Sequence, residues 1–313
     1  VVVNKSTVPV GSARVVAAEL RRDDVSVVSN PEFLREGSAV ADFLKPDRVV
    51  IGSDDRAAAL DTAELYSSLN APIMITDPAS AETIKYASNA FLATKLSFIN
   101  AVAAVCEAVG ADVADVVTGM GYDTRIGREF LRPGPGWGGS CFPKDTLAMV
   151  RIAADAGYDF GLLKGVVEVN DQQFDRVVDK IRRGVAGPLE GATVALWGLT
   201  FKARTDDLRD SPALEVAERL SKAGAKVVAY DPTVEPGRSD PSLESVQVTA
   251  TALEAVTGAD VLAVMTEWDQ FRWVDLGEVA EAMSGATVID GRNLLNPTDV
   301  RAAGLRYDGI GRS

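Results

Sequence analysis

One cysteine lies in a segment whose residue types could carry out covalent catalysis. Cys141 ends a glycine-rich stretch, residues 134–140, and precedes Lys144 and Asp145 by three and four positions. A thiol reacts as its thiolate, which a nearby cation stabilises, and glycines let backbone approach a ligand closely. A free cysteine is more often a small buried apolar residue, but the glycines and the charged pair favour chemistry. Cys106, between Val105 and Val109 on an apolar helix, is predicted to be core.

The same stretch formally matches the dinucleotide-binding pattern G-x-G-x-x-G at Gly134, Gly136 and Gly139. That motif must follow a buried strand and open a helix. Residues 125–133, which precede it, contain four charged residues and a proline and do not form a strand pattern. The pattern therefore does not predict a dinucleotide site here.

The amino-acid composition excludes several kinds of catalytic and metal-binding site. The chain of 313 residues has no histidine, which excludes Ser-His-Asp and Cys-His activation of a nucleophile. Two cysteines without imidazole cannot complete a Cys/His zinc site, so we expect no metal. Acid–base work is left to Lys, Asp, Glu, Cys, Tyr or water. So few cysteines also indicate a reducing compartment, and we expect a cytoplasmic protein.

Charge and hydropathy limit the partners. The net charge of −13 disfavours nucleic acid and anionic membranes. No uninterrupted apolar run approaches 18 residues, and there is no signal-peptide pattern, so no membrane partner is expected. An anionic ligand would need local positive charge, and two basic groups could supply it: Arg125, Arg128 and Arg132, and then Lys202, Arg204 and Arg209. A solvated basic face is the alternative for both.

Three further groups of polar residues could belong to a site. Lys85 and Asn89 are four apart in a helical pattern and so share one face. Glu32 and Glu36 have the same spacing in a long loop, and residues 5–9 follow the first strand, at the edge where parallel sheets place ligands. Each group taken alone also fits a solvated surface or an ordinary turn.

Strands and helices alternate in the first quarter of the chain, which predicts a parallel sheet with helical crossovers. The predicted strands cover residues 1–3, 25–28, 48–51 and 72–76, and the predicted helices 11–22 and 56–69. Because the chain opens inside an apolar strand without a methionine, we expect that this sheet has lost its first part.

A long helix follows. Asp77-Pro78 is a helix start, apolar residues recur at helical spacing, and Gly110 can end the helix. A helix over residues 78–109 would be roughly 48 Å long at about 1.5 Å per residue. That length indicates a spine between domains or across a dimer interface. More helix is predicted over 112–117 and over 144–183, with a break near 157–161.

The last part of the chain again alternates. Strands are predicted at 193–197, 226–230, 260–265 and 286–290, with a helix starting at Ser211-Pro212. The fold class is therefore α/β, with two Rossmann-like doubly wound domains, the first truncated, joined by a long central helix and a helical dimerisation region. The predicted domains are 1–76, 77–186 and 187–313.

Four motifs occur in the order expected of one known family. They are NPEFLREG at 30–37, KYASN at 85–89, GGSCFPKD at 138–145, and Phe-Lys through Asp-Ser-Pro at 201–212. With them the chain resembles the UDP-glucose/GDP-mannose dehydrogenases over its whole length, and the cysteine motif is nearest to the UDP-glucose branch. The resemblance implies an NAD-binding domain, a helical dimerisation region that makes a homodimer, and a UDP-binding domain. It also implies oxidation of a primary alcohol to a carboxylate by two NAD⁺ in turn.

The resemblance implies roles for the reacting residues. Cys141 would add to an aldehyde, and hydride loss would turn the thiohemiacetal into a thioester that water releases as UDP-glucuronate. Lys85 would stabilise the oxyanion, in the electrostatic role usually largest in such steps, and Asn89 would orient the sugar or water. Asp145 and Glu32 match the family's acid–base and water-activating carboxylates, and Thr7 would hold that water.

The resemblance also implies the binding residues. The nucleotide sugar would contact Phe33, Leu34, Glu36, Arg125, Gly138, Phe201, Lys202 and Arg292, with Arg125 reaching the sugar of a neighbouring subunit. The NAD would contact Ser6, Thr7, Glu36, Lys144 and Arg209. The family's opening strand and glycine-rich turn, which bind the pyrophosphate of NAD, have no counterpart here. We therefore expect that the N-terminal part of the NAD-binding domain is absent.

Other functions are compatible with the same residues. A sibling enzyme could act on GDP-mannose or another nucleotide sugar, because the residues that would contact the base cannot be identified from the sequence. A non-catalytic nucleotide-sugar-binding module would keep the Lys202 cluster without cofactor chemistry. A structural α/β protein would need none of the four ordered motifs.

Overall fold

The computed structural model describes residues 1–312, so Ser313, the end of the third predicted domain, lies outside the described residues. The chain divides into two compact units. The first consists of Val1–Phe91 and Lys144–Gly161, and the second of Leu92–Pro143 and the chain from Leu162 onward. The three-domain division stays a prediction.

The first unit contains a four-stranded sheet in the order β1-β2-β3-β4. Its elements follow the predicted alternation with slightly different bounds: β1 (Val2–Asn4), α1 (Ser12–Leu20), β2 (Val27–Ser29), α2 (Ala39–Leu44), β3 (Val49–Gly52), α3 (Arg56–Glu64) and β4 (Ile73–Thr76). Buried Val28, Val49 and Ile51 pack with Ala58 and Ala59 of α3. This small core holds the sheet against one helix.

The prediction that this sheet is parallel throughout is wrong at one pair. Strands β1 and β2 are parallel, as are β3 and β4, but β2 and β3 are antiparallel through Ser29 and Gly52. Parallel neighbours need a crossover that returns the chain to its starting edge. Residues 30–48 instead reverse direction, and Asn30 at their start donates from its side chain to the Val50 carbonyl at 2.7 Å.

The long helix α4 (Pro78–Val109) has the predicted bounds. Asp77 accepts a hydrogen bond from the Ser80 backbone at 2.9 Å, and Gly110 has a φ of 75°, so both predicted ends are confirmed. By length and composition α4 could cross a membrane, since its most apolar 18-residue window has a mean hydropathy of 1.5. Its buried Glu82 and Ser97, however, are hydrogen-bonded within the protein, which is typical of a packed helix.

Three more helices complete the middle of the chain: α5 (Val113–Gly121), α6 (Phe142–Asp155) and α7 (Gly161–Gly184). Asp112 caps α5 by accepting a hydrogen bond from the Ala114 backbone at 2.8 Å. The predicted break near 157–161 separates α6 from α7 and is confirmed. Helices α5 and α7 belong to the second unit, except that Gly161 belongs to the first.

The second unit contains a six-stranded parallel sheet in the order β10-β9-β8-β5-β6-β7. Its elements are β5 (Thr193–Trp197), α8 (Pro212–Lys222), β6 (Lys226–Tyr230), β7 (Gln247–Val248), α9 (Ala252–Val256), β8 (Val261–Val264), α10 (Leu276–Ala282), β9 (Thr287–Asp290), α11 (Pro297–Ala302) and β10 (Arg306–Gly309). The four predicted strands form the largely buried centre of this sheet. The unpredicted β7 and β10 lie at the two edges, where short, half-polar strands leave a weak pattern.

Candidate active site

Cys141 lies at the start of a helix and is accessible. Its side chain is exposed, and the residue directly precedes Phe142, the first residue of α6. The Cys141 Sγ lies 3.5 Å from the Ser140 Oγ. The N-terminus of a helix favours negative charge. A thiolate at this position therefore has both access to a substrate and a favourable field.

The glycines before Cys141 are required by close contacts. A Cβ at Gly138 would lie 1.8 Å from the Asp210 carbonyl oxygen. A Cβ at Gly139, whose φ is 80°, would lie 2.8 Å from the Phe201 ring. Two motifs that are 60 or more residues apart in the sequence therefore meet, and they meet only because these positions lack side chains.

Phe201, Lys202 and Arg292 come together at the carboxyl edge of the parallel sheet, the usual ligand edge of such sheets. The Arg292 guanidinium donates to the Phe201 carbonyl at 3.0 Å and to the Met265 carbonyl at 2.8 Å. The Lys202 Nζ lies 5.5 Å from the centroid of the Phe201 ring. The structure thus groups three predicted sugar-nucleotide contacts from two distant segments, next to the glycine loop.

A buried carboxylate that the sequence analysis did not single out supports this edge. Asp231 is 1% exposed and accepts hydrogen bonds from the backbones of Leu199 and Thr200, at 2.8 and 3.1 Å, and from the Trp268 indole at 3.1 Å. It therefore holds the turn that leads into Phe201. Its position directly after strand β6 was the available signal.

Asp290, the last residue of strand β9, likewise holds backbone at this edge of the sheet. Its carboxylate accepts from the Leu295 backbone at 2.7 Å and the Arg292 backbone at 3.2 Å. Burial raises the pKa of Asp290, and the backbone donors around it act in the opposite direction. The loop that carries Arg292 is thereby tied to the end of the strand.

Two predicted contacts lie on the surface. Arg125 pairs with Asp123 at 2.6 Å, and Arg209 pairs with Asp207 at 2.8 Å. Both arginine side chains are largely exposed. Each is held by an acidic residue two positions earlier, so a ligand that took either guanidinium would compete with that partner.

In the first unit, Lys85 is the centre of a polar cleft. Its side chain is only 4% exposed, and its Nζ lies 3.6 Å from the Glu32 Oε1. The Nζ also lies 5.4 Å from the centroid of the Phe33 ring, against which Arg48 stacks at 3.6 Å. The cleft is lined by Asn4, Ser6, Thr7, Val8, Ser29, Pro31, Glu82 and Lys85.

Asn89 and Asp145 are also brought together in this unit. Asn89 follows Lys85 by one helical turn and donates to the Asp145 Oδ2 at 2.6 Å. Asp145 is 1% exposed, and its other oxygen pairs with the Lys144 Nζ at 2.9 Å. Burial, and to a smaller degree Asp145, raises the pKa of nearby Tyr86. The predicted carboxylate is thus buried and paired with a lysine whose side chain is 59% exposed.

The segment between Glu32 and Glu36 is less enclosed. The Leu34 backbone donates to the Glu32 Oε2 at 2.6 Å, while the Leu34 side chain is 36% exposed. Glu36 is half-buried. These residues form a turn beside the Phe33 ring and leave an apolar side chain accessible.

Hydroxyl groups of the kind that hydrogen-bond a ribose line one edge of the first sheet. Strands β1 and β2 are parallel, so their carboxyl ends share an edge, and the Ser6 and Thr7 side chains line the cleft there. The N-terminus of α1 does not fit the pyrophosphate, because the Glu82 carboxylate already accepts from the Gly11 and Ala13 backbones at 2.5 and 3.0 Å.

Comparison with known proteins shows which family the chain resembles throughout its length. Sequence profiles of the UDP-glucose/GDP-mannose dehydrogenase family match at residues 1–70 (NAD binding domain), 79–172 (central domain) and 195–297 (UDP binding domain). The UDP-glucose 6-dehydrogenase TuaD of Bacillus subtilis is 46% identical over 317 residues, covering 100% of this chain and 68% of TuaD. The UDP-glucose 6-dehydrogenase of Rhizobium meliloti is 46% identical over 323 residues, covering 100% and 73%.

A solved structure is similar as well. The UDP-glucose dehydrogenase of the hyperthermophilic archaeon Pyrobaculum islandicum matches with a TM-score of 0.88 and 38% identity, over 99% of this chain and 70% of that one. The similarity extends through the matched NAD-binding, central and UDP-binding domains. This chain therefore belongs to the UDP-glucose/GDP-mannose dehydrogenase family.

Proposed function

We propose that this chain catalyses the NAD-dependent oxidation of UDP-glucose to UDP-glucuronate, as a UDP-glucose 6-dehydrogenase. The observation that carries the proposal is an exposed Cys141, in the matched central domain, on a glycine loop that contacts Phe201 and Asp210 of the matched UDP-binding domain. The identity of 46% to relatives named for this activity supports the choice of sugar.

The proposed chemistry passes through a covalent intermediate on Cys141. Bound NAD⁺ supplies the two-electron oxidant for each of two oxidations. In the first, the C6 alcohol would lose a hydride to NAD⁺ and its hydroxyl proton to a basic group, which gives an aldehyde; the Cys141 thiolate would then bond to that carbon while the carbonyl oxygen becomes an alkoxide. The second oxidation gives a thioester. Water breaks the C–S bond, which releases the carboxylate and restores the thiol.

The proposed roles of the polar residues follow their surroundings. Lys85 would stabilise the alkoxide, because its ammonium is buried and preorganised. Asn89 would orient the sugar or the water. Asp145 and Glu32 would transfer protons or activate water, and Thr7 would hold that water.

The proposed binding residues fall into two sets, one for the nucleotide sugar and one for NAD. The nucleotide sugar would contact Phe33, Leu34, Glu36, Gly138, Phe201, Lys202 and Arg292, and Arg125 from a neighbouring subunit. NAD would contact Ser6, Thr7, Glu36, Lys144 and Arg209. The grouping of Phe201, Lys202 and Arg292 at a sheet edge supports the first set, and the hydroxyls of the polar cleft support the second.

A homodimer, three domains with the predicted bounds and a cytoplasmic location are part of the proposal. Apolar Phe98, Val105 and Val109 on α4 are 53%, 59% and 71% exposed and follow one another at helical spacings. Burying such a stripe against a second copy would be favourable. Two free thiols, Cys106 and Cys141, suit a reducing compartment. Light scattering of the purified chain would test the dimer.

A substrate assay tests the activity directly. We expect NADH formation with UDP-glucose and NAD⁺, at two NADH per UDP-glucuronate, and a rate at least about tenfold lower with GDP-mannose. A faster rate with GDP-mannose would assign a sibling activity. Calorimetric binding of UDP-glucose without NAD⁺ binding or turnover would assign a non-catalytic binding module.

Replacing Lys85 is expected to slow turnover without weakening substrate binding. In Lys85→Met the alkoxide loses its cationic partner, so kcat should fall about 100-fold while KM changes less than about threefold. Lys95→Met is the matched control, because Lys95 lies on the same helix and donates only to the Ile126 carbonyl among its described bonds. Equal losses in the two variants would contradict the role of Lys85.

A further inference from the structure

The glycine loop before Cys141 is buried although it belongs to neither a helix nor a strand. Gly134, Pro135 and Trp137–Gly139 are buried, and residues 131–138 have no regular secondary structure. Buried backbone groups must find hydrogen-bond partners, which secondary structure usually provides. The loop therefore depends on partners from elsewhere in the chain.

Those partners are side-chain amides from two helices. The Gly134 N–H donates to the Asn100 Oδ1 at 2.8 Å, and the Gly134 carbonyl accepts from the Gln173 Nε2 at 2.8 Å. The Trp137 N–H donates to the Asn170 Oδ1 at 2.8 Å, and its carbonyl accepts from the Asn170 Nδ2 at 3.0 Å. An amide carries both a donor and an acceptor, so Asn170 satisfies both groups as a neighbouring strand would.

The three amides are themselves enclosed and fixed. Asn100 on α4 is 3% exposed, and Asn170 and Gln173 on α7 are 6% and 3% exposed. Asn170 and Gln173 are three residues apart and so lie on one face of α7. Breaking one of these buried hydrogen bonds would leave a group unsatisfied, which costs more than the bond itself contributes.

The loop backbone held by these amides is close in sequence to the Cys141 thiol. The Trp137 indole donates to the Ser97 Oγ at 2.9 Å, and its ring meets the Phe142 ring edge-on at a centroid distance of 6.4 Å. Cys141 is the residue next to Phe142. The position of Trp137 therefore affects that of Cys141 in two ways, through ring packing against Phe142 and through the four peptide bonds that join Trp137 to Cys141.

We infer that Asn170 and Gln173 are positioning residues, which set where Cys141 presents its sulfur. This inference rests on the proposed function, since it gives the amides a task in that reaction. Neither residue needs to touch the substrate. Misplacement of a reacting group by about 1 Å can cost about 100-fold in rate. Weakening the hydrogen bonds of Asn170 and Gln173 to the loop should therefore lower kcat more than it weakens substrate binding.

Isosteric changes from amide to carboxylate test the inference. Asn170→Asp and Gln173→Glu keep the shape but remove the donor to a loop carbonyl, so we expect kcat to fall about 10- to 100-fold with KM within about threefold. Asn100→Asp keeps the acceptor that the Gly134 N–H needs, so kcat should stay within about threefold of the wild type. Gln172→Glu, on the exposed face of α7, controls for added charge. If Asn170→Asp does not fold, Gln173→Glu carries the same test.

Three kinetic outcomes overturn the inference: donor-lacking variants that fold and keep the wild-type kcat, a loss as large in Asn100→Asp, or a KM increase without a change in kcat. Hydrogen exchange separates this from failure of the proposed function. The amides of residues 134–140 should exchange at least about tenfold faster in Asn170→Asp than in Gln172→Glu. If the wild type makes no UDP-glucuronate, the proposed activity fails. If the loop amides exchange equally fast in Asn170→Asp and Gln172→Glu, only the positioning role of Asn170 and Gln173 is overturned.

Discussion

Replacing Cys141 by alanine is expected to abolish formation of UDP-glucuronate. Without the Sγ no thiohemiacetal and no thioester can form, so kcat should fall at least about 1,000-fold, as when other covalent nucleophiles are removed. UDP-glucose binding should change less than about threefold, because the contacts assigned to the nucleotide come from other residues. Product measured by chromatography and binding measured by calorimetry check both parts.

The second cysteine supplies the control. Cys106 is 3% exposed on α4 and packs in the apolar core. Cys106→Ala should therefore keep kcat within about threefold and lose only some stability. Rapid-quench mass spectrometry of the wild type should reveal a sugar adduct on Cys141. Wild-type product formation by Cys141→Ala would refute the covalent route.

Replacing Gly138 by alanine is expected to lower both the activity and the stability of the protein. The added Cβ would lie 1.8 Å from the Asp210 carbonyl oxygen, a distance that forces backbone to move. Because Cys141 follows three residues later, kcat/KM should fall about 100-fold. The free energy of unfolding should also decrease, by about 1–3 kcal/mol, as in other overpacked sites.

Gly165→Ala is the matched control for this change. Gly165 lies within α7, and a Cβ there meets no atom within 4 Å. Alanine should stabilise the helix by about 0.5–1 kcal/mol and leave kcat unchanged. Measuring kcat/KM and thermal unfolding of both variants tests whether the loss is specific to Gly138. If Gly138→Ala kept full activity, the loop would not need its contact with Asp210.

Much of the fold could be predicted because its signals are local. The helix α4 has a capping Asp77, an apolar periodicity and a terminal Gly110, and its bounds matched. Strands β5 and β6 are unbroken apolar runs between turn residues, and they also matched. Local sequence signals did not predict the direction in which neighbouring strands pair. Nothing in residues 30–48 states that β3 runs antiparallel to β2, because strand direction depends on where the chain returns to the sheet.

The candidate site shows the same limit. Four ordered motifs predicted Cys141, Lys85 and Lys202 as site residues before any geometry was known. The carboxylates Asp231 and Asp290 were missed, because their position at the end of a strand is also that of ordinary turn residues, and only the structure shows the backbone groups that they bind. The domain bounds and the roles of the site residues stay predictions.

The amino-acid sequence by itself determined the chemistry that this protein can perform. Residue types and short spacings are local, so a thiol among glycines, an absence of histidine and ordered basic clusters could be read directly. Only the tertiary structure decided how that chemistry is held. Gly138 contacts Asp210, which is 72 positions away in the sequence, and Asn170 hydrogen-bonds to Trp137, which is 33 positions away. Such contacts arise from packing between distant elements, which no local pattern encodes.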